Sequence, residues 1–197
     1  MPVMNEVITR LKSDHVCFVR AMAEIDRALK RHLAGKPSAP QNFSRIVDLF
    51  TYVQGYPERW HHPIEDAAFN RLLTMDIPGT SDIARLMHEH ELMEEQSQDL
   101  RRRFEDILRG KIATDQTLVR DCYRYINRQL EHQRLEEENV FPLMVTLFKT
   151  ADWRNLERRL LTIPSDDLLK RHYQHLYTSS LQEPAPLSAK HLKVNRL

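Results

Sequence analysis

Residues 59–66 read RWHHPIED, two adjacent histidines followed by a proline and two acids. Apolar residues around this stretch recur every three or four positions, which predicts a helix. His61 and Glu65 are four residues apart, so they project from the same side of that helix. The proline between them disfavours a regular helix by about 3 kcal/mol. An imidazole and a carboxylate that share one face of a kinked turn indicate a pair of metal ligands.

The same pair recurs later in the chain, because His132 and Glu136 have the same spacing. His15 and His90 lie on the apolar faces of two further predicted helices. Four imidazoles and two carboxylates are enough ligands for two metal ions that share the carboxylates. Such ligands suit iron, manganese or zinc better than copper(I), which prefers sulfur. Metal charge also compensates the cost of burying carboxylates. The predicted ligands are His15, His61, Glu65, His90, His132 and Glu136.

Hydrophobic periodicity predicts four long helices, over residues 3–33, 42–74, 81–110 and 115–149. The second is expected to kink or break near Gly55, Pro57 and Pro63, and Thr114 is the expected N-cap of the fourth. The fold class is therefore all-α, an up-down four-helix bundle with short extra C-terminal helices over 151–161 and 165–177. We divide the chain into the bundle (1–150), the additional helices (151–178) and a flexible tail (179–197).

The composition fits one domain with a core of its own: 197 residues, of which 41% are hydrophobic and 29% charged. A formal net charge of +1 gives no basic field for nucleic acid. We expect no membrane span, because no run of about 18 apolar residues occurs. The first residues lack the apolar core of a signal peptide. Cys17 and Cys122 are far apart, so we expect reduced thiols and a cytoplasmic location.

Four motifs together resemble those of the hemerythrin-like, or HHE, cation-binding family. They are SDH at 13–15, HHPIED at 61–66, HEHE at 88–91 and HQRLEEENVFP at 132–142. The resemblance extends over residues 5–148. It implies a four-helix bundle that holds a non-haem di-iron site.

Carried over position by position, the resemblance implies that His15 and His61 bind one iron, and that His90 and His132 bind the other. Glu65 and Glu136 would bridge the two irons, with an oxo bridge as a further option. The oxygen-carrying branch of the family has one more histidine on the third helix. One turn after His90 this chain has Glu94 instead, so it is closer to the branches with four histidines and two glutamates.

Several ligand assignments stay open at this point. His62 lies about 100° around the helix from His61 and is either a further ligand or a hydrogen-bonding neighbour of one. His88 competes with His90, and Glu137 competes with Glu136. Glu94 is a candidate for an additional carboxylate ligand. A ferritin-like site is disfavoured, since it needs two ExxH pairs and only Glu58–His61 has that spacing.

The predicted function is non-haem di-iron binding, with binding or sensing of O2 or NO, or the handling of iron, as its purpose. A metal- or gas-binding protein is favoured over a dedicated enzyme. One alternative is a di-iron oxidase or peroxidase-like enzyme, because open ferrous sites reduce oxygen or peroxide. Another is a structural helical bundle that binds zinc or no metal. The sequence does not discriminate between O2 storage, NO response, iron–sulfur repair and signalling, and it does not set the oligomeric state.

Overall fold

The computed structural model describes residues 2–34 and 39–164, and all regular structure within these ranges is helical. Two π-helical segments, Pro57–His61 and Glu136–Val140, interrupt the α-helices. The predicted all-α class is confirmed. The α-helices are α1 (Pro2–Leu33), α2 (Ala39–Gly55), α3 (His62–Leu73), α4 (Thr80–Leu108), α5 (Gln116–Leu135), α6 (Phe141–Leu147) and α7 (Thr150–Leu160).

Four helical rods form the bundle. The first is α1, the second is α2 and α3 joined by a π-helical segment, the third is α4, and the fourth is α5 and α6 joined in the same way. α1 contacts α2 and α5, and α4 contacts α2, α3 and α5. Each rod therefore has two neighbours around the bundle, as predicted. The short helix α7 packs against α1 and α3 at one end.

The π-helical segments explain how prolines fit inside the second and fourth rods. In each segment a backbone N–H donates to the carbonyl five residues earlier in the chain. The N–H of His62 donates to Pro57, and the N–H of Phe141 donates to Glu136. Each wide turn is followed by a proline, residue 63 or 142, in the first turn of the next α-helix. A missing N–H costs least in a first turn. The expected kink near Pro57 and Pro63 is thus a π-helical turn, a feature frequent at functional sites.

Helix ends follow local sequence signals with one correction. The N-cap of α5 is Asp115, whose carboxylate accepts from the Leu118 N–H at 2.7 Å, so the predicted cap Thr114 was wrong by one residue. Gly79 precedes α4 with φ of +86°, and Gly110 follows it with φ of +70°. Both adopt a left-handed conformation that glycine tolerates best. The helix predicted over 165–177 and the tail over 179–197 lie outside the described residues.

The core consists of two apolar clusters separated along the bundle axis. On α1, Val7 and Leu11 belong to one cluster, and residues from Phe18 onward belong to the other. Along each of the other rods the buried residues likewise pass from one cluster to the other. The change falls between residues 56 and 64 in the second rod, between 86 and 93 in the third, and between 130 and 140 in the fourth. Every one of these gaps contains a predicted metal ligand. The fold therefore holds a polar layer between two hydrophobic layers.

No helix in residues 2–34 and 39–164 has both the length and the apolar character needed to cross a membrane.

Candidate metal centre

The six predicted ligands converge in this polar layer from all four rods. His15 comes from α1, His90 from α4 and His132 from the end of α5. His61 and Glu136 lie in the π-helical segments, and Glu65 lies in the first turn of α3. All six residues are buried, and the most exposed of them is 5% exposed.

One half of the layer contains His15, His61 and Glu65. The Nε2 of His61 lies 3.0 Å from Oε1 of Glu65, and the Nε2 of His15 lies 3.3 Å from the same oxygen. Ligand atoms from all three residues lie within 4.8 Å of one another. This is the spacing of donors that surround a single cation.

The other half contains His90, His132 and Glu136. The Nε2 of His132 lies 2.9 Å from Oε1 of Glu136, and the Nε2 of His90 lies 3.5 Å from it. The two Nε2 atoms are 2.8 Å apart and within hydrogen-bond distance of each other. Two nitrogens that bind one ion at right angles, each at about 2.1 Å, are about 3 Å apart. These two rings therefore have a separation that suits a shared metal ion.

Each glutamate reaches both halves of the layer. Glu65 directs Oε1 toward His15 and His61, and its Oε2 lies 3.7 Å from Nε2 of His90. Glu136 directs Oε1 toward His90 and His132, and its Oε2 lies 3.4 Å from Nε2 of His15. A carboxylate with one oxygen at each of two positions has the orientation of a bridging ligand.

The unpartnered atoms of the layer provide a test of whether a metal fits. Both oxygens of Glu65, both oxygens of Glu136 and the Nε2 atoms of His15 and His61 are buried without a hydrogen bond of acceptable geometry. Buried polar atoms without partners cost free energy, commonly about 1–3 kcal/mol each. Nitrogen and carboxylate oxygen are good donors for divalent first-row metals. The residues present therefore fit a metal centre.

The outward nitrogen of each imidazole contacts a carboxylate. Nδ1 of His15 lies 2.9 Å from Glu137, and Nδ1 of His61 lies 3.2 Å from Asp14. The corresponding contact of His90 is with Asp66 at 2.7 Å, and that of His132 is with Glu89 at 3.0 Å. Because an ionised carboxylate only accepts, Nδ1 carries the proton and Nε2 faces the interior.

The carboxylates also set the pKa values of the metal-free site. Burial lowers the pKa of His15 and His90, but the neighbouring carboxylates outweigh it and raise both to about 10. The same competition raises the pKa of His61 and His132. Burial raises the pKa of Glu65, but His61 and His15 hold it well below its usual range. A metal must therefore displace protons from these rings.

His62 lies beside the layer and is 5% exposed. Its ring stacks on that of His90, with centroids 4.1 Å apart and planes 4° apart. Burial, followed by the nearby His90, lowers its pKa well below the usual range. Ligand atoms of His62, Glu65 and His90 lie within 4.8 Å of one another. His62 is thus a neutral ring in contact with the site, in keeping with either role considered for it.

The other three candidates lie outside the ring of inward-facing donors. His88 points to solvent and pairs with Glu91. It precedes His90 by two residues, so its side chain points about 200° around the helix from that of His90. Glu94 is exposed, and its carboxylate accepts from Gln98 rather than approaching the imidazoles. Glu137 contacts the outward face of His15, whereas Glu136 faces inward. The structure therefore does not place His88, Glu94 or Glu137 among the inward donors.

Sequence reasoning missed the contacts of Asp14, Asp66 and Glu89. Asp14 in addition accepts a hydrogen bond from the Tyr56 hydroxyl at 2.9 Å. A usable signal was present, since each missed acid is the immediate chain neighbour of a predicted ligand. Helical periodicity does not reveal their partners, because those partners lie on other rods.

Comparison with known families agrees with this geometry. The family model described as the Hemerythrin HHE cation binding domain matches residues 6–144. Comparison with curated proteins and with solved structures gave no match. The matched range includes most of each of the four rods and all of the six inward-facing side chains. The chain therefore belongs to the hemerythrin HHE cation-binding domain family.

Proposed function

We propose that the chain binds two iron ions and uses them to bind or sense a diatomic gas, O2 or NO, or to handle iron. His15 and His61 would hold one ion, His90 and His132 the other, and Glu65 and Glu136 both. The observation that carries this proposal is the orientation of the two glutamates, each with one oxygen toward His15 and the other toward His90.

Two ions fit the donor set better than one. A structural zinc ion is satisfied by four tetrahedral ligands, whereas six convergent donors, two of them bidentate carboxylates, exceed that need. The two buried carboxylates also supply negative charge where two cations would bring positive charge. Imidazole with carboxylate is a ligand set typical of iron centres.

Bound iron would supply a Lewis-acidic, redox-active centre, and six protein ligands shared by two ions would leave a position for a small exchangeable ligand. The chain itself supplies the dry surroundings, because hydrophobic layers lie on both sides of the site. His62 adds a neutral ring against His90. The thiols of Cys17 and Cys122 are compatible with the cytoplasmic location that we propose.

Anaerobic titration with Fe(II), followed by elemental analysis and Mössbauer spectroscopy, tests the proposal. We expect about two iron ions per chain in one coupled centre, and a change in the optical spectrum on addition of NO or O2. His88→Ala is the matched control for His90→Ala, because His88 lies on the same helix but faces solvent. The control should load like the wild type, and His90→Ala should not.

Other outcomes identify the alternatives. One zinc ion per chain, or no metal, would support a structural bundle instead of a di-iron protein. Repeated consumption of O2 or peroxide in the presence of a reductant would favour an oxidase or peroxidase-like enzyme over a binding protein.

A further inference from the structure

We infer that Asp14, Asp66, Glu89 and Glu137 are positioning residues that hold the four imidazoles with Nε2 toward the metal centre. This inference rests on the proposed function, since positioning has a purpose only if metal is bound. None of the four is among the six proposed ligands. Each instead contacts the Nδ1 side of one ligand ring, at 2.7–3.2 Å.

The four contacts form a closed circuit around the bundle. Asp14 on α1 contacts His61, and Asp66 on α3 contacts His90 on α4. Glu89 on α4 contacts His132 on α5, and Glu137, after α5, contacts His15 on α1. Every rod thus provides one carboxylate to the next rod and receives one from the rod before. The circuit follows the order in which the rods are neighbours.

Each positioning residue is also a direct chain neighbour of a proposed ligand. The adjacent pairs are Asp14–His15, Glu65–Asp66, Glu89–His90 and Glu136–Glu137. Consecutive residues on a helix point about 100° apart. A ligand that points to the bundle axis therefore places its neighbour toward the adjoining rod, where the next imidazole lies. One backbone segment in this way sets both a ligand and the orientation of a ligand on another helix.

The chemistry of the contact determines the imidazole tautomer. A carboxylate accepts the Nδ1–H, so the lone pair is left on Nε2, and the negative charge makes the ring a better donor to metal. An amide in its place accepts less strongly and can offer N–H groups, which favour the wrong tautomer. Removing such a hydrogen-bond partner commonly lowers metal affinity about 10- to 100-fold.

Two of the positioning residues are themselves held by cationic groups. Asp14 accepts from the Tyr56 hydroxyl at 2.9 Å and pairs with Arg10 at 3.2 Å. Glu89 pairs with Arg85 at 2.6 Å. These contacts fix the carboxylates before metal arrives, which is what a positioning role requires.

The chain offers a close control for two of the four contacts. Glu91 is two residues from Glu89 on the same helix but pairs with the exposed His88. Glu138 follows Glu137 but pairs with Arg134 on the surface. The variants Glu89→Gln and Glu137→Gln can thus be compared with Glu91→Gln and Glu138→Gln, which make the same chemical change at nearby positions.

The test is Zn²⁺ affinity, measured by competition with a chromophoric chelator, together with nitrogen-15 histidine NMR of the zinc-loaded protein. We expect Glu89→Gln and Glu137→Gln to bind Zn²⁺ about 10- to 100-fold more weakly than the wild type. Glu91→Gln and Glu138→Gln should bind like the wild type. The Nδ1–H signal of His132 should move in Glu89→Gln, and that of His15 in Glu137→Gln.

Equal affinities and unmoved Nδ1–H signals in all four variants would overturn the positioning role while leaving metal binding intact. Failure of the wild type to bind either Fe(II) or Zn²⁺ would overturn the proposed function and the positioning role with it. Circular dichroism shows whether a variant has kept its helices. Should Glu89→Gln not fold, Glu137→Gln decides the matter, because the Glu137 side chain is 38% exposed, against 18% for Glu89.

Discussion

Glu65 and Glu136 come from different rods of the bundle, yet each directs one carboxylate oxygen toward His15 and the other toward His90. The four distances lie between 3.3 and 3.7 Å. This common orientation is what the proposed pair of metal ions would require, and two unrelated histidine sites would not need it. The consequences can be tested one substitution at a time.

Substitution of either inward glutamate should disturb both metal positions. In Glu65→Gln and Glu136→Gln we expect iron content to fall and antiferromagnetic coupling to be lost, because each carboxylate would serve both ions of the proposed centre. Glu137→Gln should keep the coupling, since Glu137 contacts only the outward nitrogen of His15. Iron stoichiometry and Mössbauer spectra measure both effects. Coupling that survives in Glu136→Gln but disappears in Glu137→Gln would transfer the bridging role to Glu137.

The adjacent histidines should differ in their importance for metal binding. His61→Ala should lose most of the metal, because Nε2 of His61 lies 3.0 Å from Glu65. His62→Ala should retain most of it, since the face of His62 lies against His90. Elemental analysis of both variants after the same loading gives the answer. An emptied site in His62→Ala would make His62 a seventh ligand.

Much of this site could be predicted from the sequence because helical spacing is regular. The pairs His61–Glu65 and His132–Glu136 are each four residues apart, and that spacing placed both members on one face. The choice of His90 over His88 followed from the apolar face of α4, and the structure puts His90 inward. These predictions needed only the period of the helix.

Other features depended on contacts between rods and could not be derived in that way. The expectation near Pro63 was a kink or a break, whereas the chain forms a wide π-helical turn over Pro57–His61 that leads directly into α3. The partner of Asp14 is a ring 47 positions away. The N-cap of α5 is the residue that adopts the extended conformation just before the helix. Propensities do not decide between neighbours such as Thr114 and Asp115.

Removal of the metal should destabilise the fold. Without metal, the oxygens of Glu65 and Glu136 and the Nε2 atoms of His15 and His61 make close ion-pair contacts but no hydrogen bonds of acceptable geometry. We expect a chelator to lower the melting temperature, and stoichiometric metal to restore it. The size of the shift should grow with metal concentration. Identical melting curves for loaded and stripped protein would contradict a shared buried site.

Glu58 should make stability depend on pH, independently of the metal ligands. It lies three residues before His61 and accepts a hydrogen bond from the buried hydroxyl of Ser97. Burial raises the pKa of Glu58 to about 8 from an ordinary value of 4.5. The unfolded chain therefore ionises at Glu58 near pH 4.5, whereas the folded chain keeps the proton until about pH 8. Stability from this group is full below pH 4.5 and is lost as the pH rises through that range.

The substitution Glu58→Gln removes this ionisation and keeps an acceptor for Ser97. As the pH rises from 5 to 8, we expect the free energy of unfolding of the variant to increase relative to that of the wild type by about 1–3 kcal/mol. This is less than the full pKa shift would give, because solvent reaches part of the Glu58 side chain. Glu95→Gln is the matched control, since Glu95 is exposed on α4 and is not among the groups that shift the pKa of Glu58. Denaturant unfolding of the three proteins at equal metal loading, at several pH values, measures the difference. A Glu58→Gln effect that stays constant from pH 5 to 8 would mean that Glu58 ionises normally in the folded chain.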